Sequence, residues 1–150
     1  MSNVSREMAP AEIRAFISEN QHGVLAFAGD EPYAIPMGYN YRRETFLVGL
    51  TSPGVKWKFV EKDPRVCFTI CRPRWYAEGK KVACSTLIVK GRLEPLLDRA
   101  AYGLSAKMNE SMDALGIKTF AIADAVLTGR RCTRRPCELF FKNPEEQPPD

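Results

Sequence analysis

The chain has one histidine in 150 residues, His22, and that scarcity removes much chemistry at once. A histidine-based metal centre has too few ligands unless cysteines dominate it, and no Cys-His nucleophile pair can be assembled with any weight. There is no G-x-S-x-G elbow, no G-x-x-x-x-G-K-[ST] phosphate loop and no G-x-G-x-x-G fingerprint after a strand. An enzyme built on this chain would therefore borrow its chemistry from a cofactor. No apolar run approaches the roughly 20 residues that span a bilayer. The start, MSNVSREMAPAEIRAF, has no basic segment leading into an apolar stretch, so a cytoplasmic protein without membrane contact is expected.

Internal repeats and composition shifts are also missing. Residues 1–143 read as one domain, and the Pro-rich, acidic stretch 144–150 as a disordered tail. Five cysteines, Cys67, Cys71, Cys84, Cys132 and Cys137, are an odd number without a leader, which points to reduced thiols. Their spacings resemble no zinc knuckle, so no metal is expected. Net charge is a mild +4. Arg130, Arg131, Arg134 and Arg135 crowd into GRRCTRRPC, but no aromatic-interleaved groove accompanies them. A solvated loop or a ligand-facing edge is the expectation, with no nucleic-acid partner.

What is present is a core supply, 45% apolar residues, arranged in short runs. APAEIRAFISENQHG predicts a helix with Ile13, Phe16 and Ile17 on one face, Gly23 at its exit and His22 beside its last carbonyls. GVLAFAG and YAIPMGYNY are strands around a DEP turn. TFLVGL and PRVCFTIC are strands flanking a helix over PGVKWKFVEKD, with Val55, Phe59 and Val60 facing inward. RPRWYAEGKK is a polar, aromatic loop. VACSTLIVKGRLEPL is the longest strand candidate, with a bend permitted at Gly91. Asp98 caps a helix over DRAAYGLSAKMNESM. DALGIKTFAIADAVLTG is a short helix or a loop, and CELFFK a last strand in which Phe140 and Phe141 point to opposite faces. Strands joined as hairpins with helices between them give a mainly β, α+β fold: a rolled antiparallel sheet or barrel with helical decorations.

Two stretches carry chemistry. In TSPGVKWK, Thr51 or Ser52 caps a helix with Pro53 at its first position, or else the same hydroxyls, N–H groups and lysines hold a phosphate. In IPMGY, Pro36 has no N–H to give a ladder and Gly38 permits close approach. That segment is an edge strand with a bulge, or a strand whose pairing opens to admit a planar polar ligand.

Three stretches in order, GVLAFAGDEPYAIPMGYNY, TFLVGLTSPGVKWKFVEKDPRVCFTI and CSTLIVKGRLEPL, resemble the pyridoxamine 5'-phosphate oxidase-like superfamily over residues 10 to 98. The resemblance implies a six-stranded antiparallel split β-barrel with short flanking helices. It implies a homodimer that binds FMN at its interface, or in related branches FAD, a deazaflavin or haem. By position, Pro36, Met37, Gly38 and Tyr39 would lie along the flavin ring. Thr51, Ser52, Lys56 and Lys58 would hold the phosphate, and Ser85 and Thr86 would add contacts from a neighbouring strand. The implied activity is flavin-carried redox chemistry on a small molecule, with Arg74, Trp75 and Tyr76 at the substrate mouth, or non-catalytic storage of the same cofactors. Two departures stand out. Nitroimidazole-resistance members usually carry a histidine where this chain has Gly49, and the end RRPCELFFKNPEEQPPD does not reproduce the C-terminal segment of the vitamin B6 oxidases.

Overall fold

The computed structural model describes residues 7–51, 54–72 and 84–131. Ser52, the 74–76 segment, Cys132, Arg134, Arg135, Cys137, the 137–142 strand and the tail lie outside the described residues. No helix among the described residues is long and apolar enough to cross a membrane.

The elements run α1 (Pro10–Glu19), β1 (His22–Phe27), β2 (Tyr33–Gly38), β3 (Asn40–Arg42), β4 (Thr45–Thr51), α2 (Val55–Lys62), β5 (Arg65–Arg72), β6 (Ser85–Pro95), a 3-10 turn (Ala100–Tyr102), α3 (Ala106–Ala114) and β7 (Ile117–Arg131). The strands form one antiparallel sheet in the order β2-β1-β5-β6-β7-β4-β3. Its two outer strands, β2 and β3, are consecutive in the chain and separated by Tyr39 alone. The sheet is therefore curled until its ends meet at one residue. Elsewhere it stays open, because β2 pairs with β1 while β3 pairs with β4.

Period-two burial fixes which side faces in. Leu25 and Phe27 of β1, Val66, Phe68 and Ile70 of β5, and Leu87 and Val89 of β6 alternate with outward residues. With Phe46, Val48, Leu50, Phe120 and Ile122 they fill the barrel. Each large apolar side chain so buried contributes about 1.5–3 kcal/mol. α1 closes one end with Phe16 and Ile17, and α2 closes the other with Trp57, Phe59 and Val60. A second, smaller cluster (Leu47, Leu104 and Ala121, with Met112 of α3 against it) lies on the outer face of β4 and β7.

Several expectations change. Seven strands replace six, because YAIPMGYNY breaks at Tyr39 and because residues 117–131, expected as a helix or loop, form the longest strand. That stretch pairs on both sides, with β6 and β4, and tertiary pairing overrides its mixed local preference. The helix expected from Asp98 begins instead at Ser105, whose hydroxyl accepts from Met108 N–H, while Asp98 caps the 3-10 turn through Ala101 N–H. Gly91 sits at a bulge where the β6–β7 register shifts between Lys90 and Arg92. A Cβ there would come within 2.6 Å of the Ala123 carbonyl, so glycine is required. Gly23 is not a helix exit: it lies in β1, where a Cβ would meet the Phe68 ring at 2.5 Å. Asn20 is the last-turn cap, and His22 is an exposed residue that opens β1 opposite Gly38.

The opening between β2 and β4

The candidate site is the opening between β2 and β4, and the chain builds it with one tight turn and one proline. Arg42 pairs with Thr45 across two residues, Arg43 and Glu44, with φ of 49° and 58°. This is type I′ geometry, whose twist suits a hairpin. In a two-residue hairpin the closing pair exchanges main-chain bonds, so every second residue turns its N–H and C=O to the facing strand. On one side these are Arg42, Asn40, Gly38 and Pro36, and on the other Thr45, Leu47, Gly49 and Thr51. The ladder stops after Asn40 and Leu47. Beyond it, β2 swings away to pair with β1.

Tyr39 fixes the same alternation from the other side. Its N–H donates to the Gln21 carbonyl at 3.0 Å, so the odd-numbered residues of β2 spend their main-chain groups on β1. The even-numbered ones point away. Pro36 therefore sits where its missing N–H costs the β1–β2 ladder nothing. The Pro36 carbonyl, the Gly38 N–H and carbonyl, and the corresponding groups of Gly49 and Thr51 line the opening. Among the described residues no β2–β4 pairing closes it. An alternating row of main-chain donors and acceptors suits the edge of a flat, polar heterocycle.

Side chains divide the four ring-side candidates into two sets. Pro36 and Gly38 are on the exposed face, and Met37 and Tyr39 are half-buried against the core. The Tyr39 hydroxyl donates toward the carbonyls of Ile17 and Asn20, at 2.6 and 2.8 Å, and so anchors the end of α1. Burial pushes its phenol up to about 12. Tyr39 can offer the opening only its position, since its N–H and hydroxyl are both engaged.

The lower border is α2. Its N-cap is Gly54, with no side-chain cap bond, so the expectation that Thr51 or Ser52 caps this helix does not hold for Thr51. Thr51 is the last residue of β4, opposite Ile117, and exposed. The first turn of α2 has no acidic residue to offset its positive end, and among the described residues no side chain caps it. Lys56, half-buried, is on this turn, and Lys58 is exposed. Val55, expected inside, is 60% exposed, and Trp57 takes the inward place instead. The Phe59 ring stacks on Tyr33 of β2, with centroids 4.8 Å apart and planes 8° apart. Lys118 of β7 holds its ammonium 4.6 Å from the Trp57 ring centroid, and Trp57 Nε1–H donates to Glu61 at 2.5 Å. Gly49 and Lys118 were not singled out as binding residues from sequence, since only the hairpin register and the β4–β7 pairing bring them here.

Ser85 and Thr86 are not at this opening. β6 is separated from β2 by β1 and β5, about 14 Å across the sheet at ~4.8 Å per strand. Ser85 is buried and faces in, and Thr86 faces out between Cys71 and Arg130. Outward residues of β2, β1, β5 and β6, among them Pro36, Val24, Thr69 and Ile88, form a continuous row by register that no described element covers. Of the arginine cluster, Arg131 pairs with Glu12 of α1, and Arg130 lies opposite Glu7. Among the described residues no cluster of three metal-ligating side chains exists.

Comparison with known proteins agrees with this architecture. A family profile described as pyridoxamine 5'-phosphate oxidase matches residues 9–112. No curated protein matches the sequence. Among solved structures, a FAD-binding protein from Mesorhizobium loti is similar at 22% identity and a TM-score of 0.66, covering 85% of this chain and 98% of its own. A FAD-binding protein from Mycobacterium smegmatis has 13% identity and a TM-score of 0.62, with 85% and 98% coverage. A heme-binding protein from Mycobacterium smegmatis has 18% identity and a TM-score of 0.61, over 83% of this chain and 59% of its own.

Proposed function

The chain belongs to the pyridoxamine 5'-phosphate oxidase family, and from that premise we propose that it is a flavin-binding oxidoreductase acting on a small molecule. The observation that carries the proposal is the opening itself, where main-chain groups of Pro36, Gly38, Gly49 and Thr51, unpaired among the described residues, face one another beside a helix start that has no acidic residue and no side-chain cap from them. A flavin ring presents a polar edge of alternating donors and acceptors and a flat apolar face. The first fits the main-chain row, and the second fits the side-chain-poor surface of Gly38 and Pro36. The phosphate fits Thr51, the first-turn N–H groups of α2 and Lys56, which supplies a point charge. Lys58 is exposed and secondary. FMN is the flavin proposed, and the FAD-binding proteins of similar fold make FAD its nearest rival.

When bound, the flavin would supply electron or hydride transfer. This chain would hold its ring edge by the main chain, neutralise its phosphate at Lys56 and keep one ring face open. Thr86, which faces out, can join the same site only from a second copy, since it lies three strands from β2, and Ser85, buried and facing in, could add only its main chain. We therefore include a homodimer, formed through the uncovered outer sheet face, in the proposal.

The test is an absorption spectrum of the purified protein after incubation with FMN or FAD and desalting, for the native chain and for Lys56→Ala. Retained flavin in the native chain and its loss in Lys56→Ala supports the reading. A native chain that retains neither flavin, but takes up a deazaflavin or haem, overturns it in favour of those cofactors.

A further inference from the structure

Gly38 and Gly49 leave the opening without side chains where its two sides face each other. Carrying the Asn40–Leu47 pairing two residues further along each strand sets Gly38 against Gly49. Both are exposed and belong to the outer face of the curled sheet. The opening therefore has a bare floor of two glycines at this level.

The floor has two walls, and their chemistry differs. His22 lies opposite Gly38 in the β1–β2 ladder, so its side chain shares the outer face of Gly38. A Cβ placed on Gly38 would stand 3.9 Å from His22 Cδ2 and 4.0 Å from Nε2, so the imidazole edge reaches the margin of the floor. The fold has room for a side chain at Gly38, and its absence leaves that edge uncovered. On the other strand, a Cβ placed on Gly49 would come within 2.8 Å of Ile117 Cγ2. The Ile117 side chain thus lies against the β4 side of the floor. One wall offers a ring nitrogen and the other a branched alkyl group.

Resting on the flavin reading above, we propose that His22 is a specificity-determining residue of this site. Its Nε2 makes a hydrogen bond to the polar rim of the bound ring, while Ile117 packs against the rim on the β4 side. The main-chain row alone accepts any flat heterocycle with donors and acceptors along one edge. An imidazole adds a side-chain partner at one fixed place on the rim. His22 has to reach the ligand and not the solvent. It opens β1 two residues before Val24, at the margin of the face proposed to meet a second copy, and can make this contact in either state of assembly.

The chain has one histidine, so its imidazole gives one unambiguous set of carbon-bound proton signals in NMR. FMN added to the full chain should move the His22 signals saturably, and inorganic phosphate alone should not. His22→Ala should weaken FMN binding about fivefold, read by flavin fluorescence quenching, and His22→Gln, which keeps a hydrogen-bonding group, should recover most of it. Circular dichroism and urea unfolding should match the native chain for both variants. An unmoved His22 signal at saturating FMN, an equal shift with phosphate alone, unchanged affinity in His22→Ala, or a His22→Gln no better than His22→Ala would each overturn the proposal and leave the flavin reading standing. A native chain that binds no FMN is a different result, since it removes the flavin reading and the role of His22 together.

Discussion

Tyr33 and Phe59 stack almost parallel, their centroids 4.8 Å apart, and this contact joins the edge strand β2 to α2, the two elements that border the opening. Phe27 completes the group at 5.9 Å from Phe59. Phe59→Ala removes both ring contacts from a half-buried site, so it should cost about 2 kcal/mol of stability. Urea unfolding measures this. Because the same ring positions α2 against β2, flavin affinity should fall as well, while Phe59→Leu should restore most stability and less of the affinity. A Phe59→Ala chain as stable as the native one would remove the ring stack from any role in the site.

Gly38 separates fold from site in the opposite way. A Cβ there meets nothing closer than 3.6 Å, and the backbone is extended, so the fold has room for a side chain. Gly38→Val should change stability by no more than about 0.5 kcal/mol. It should lower FMN affinity by tenfold or more, since the branched side chain occupies the surface a ring would cover. Titration by flavin fluorescence quenching checks the second part. Unchanged affinity would move the ring away from Gly38.

How much of this was legible in the sequence depends on the range of the contact. Local signals worked: the apolar face of α1, the proline that marks β2 as an edge, the glycine that marks the β6 bulge. The hairpin layout of the runs implied a rolled antiparallel sheet, and the family resemblance made it a split barrel. What stayed hidden is set by long-range pairing. Residues 117–131 carry no clean strand pattern because their outward side is covered by Leu47, Leu104 and Met112 near one end and bare at the other. The cap of α2 was misplaced because Thr51 is held in β4 by Ile117, sixty-six residues away in sequence. The resemblance implied one site for Thr51 and Thr86, and only the strand order shows how far apart one chain holds them.

The β3–β4 turn carries strain that can be relieved. Arg43 and Glu44 both hold positive φ, which costs a residue with a Cβ roughly 1 kcal/mol each. Asn and Gly are the residues type I′ turns favour. Arg43→Asn with Glu44→Gly should therefore raise stability by about 0.5–1 kcal/mol, the gain being trimmed by glycine's larger unfolded-state entropy. Thermal unfolding decides it, and a loss of stability would mean that Arg43 or Glu44 makes a compensating contact.

The bare outer face predicts assembly. Val24 is 41% exposed and stands between Pro36 and Thr69, on the face proposed to meet a second copy. Val24→Glu should shift the particle mass from two chains to one in light scattering, because an unpaired carboxylate resists burial in an apolar interface. Circular dichroism should show the fold retained. A native chain already monomeric at tens of micromolar would end the dimer proposal.

Tyr39 links pH to the join in the barrel. Its hydroxyl shares one proton between the Ile17 and Asn20 carbonyls, and burial raises the phenol from its ordinary 10 to about 12. The unfolded chain therefore releases this proton near pH 10 and the folded chain only near 12. The stability Tyr39 contributes is fully present below pH 10 and is lost as pH rises toward 12. Tyr41 is also raised, chiefly by burial, so the native chain has more than one source of alkaline sensitivity. Tyr39→Phe should cost about 1 kcal/mol at neutral pH, from carbonyls left without a donor. It should also flatten, without abolishing, the fall in stability between pH 10 and 12. Denaturant midpoints at pH 8, 10 and 11.5 for both chains give the comparison, and parallel slopes would show that Tyr39 does not titrate with unfolding.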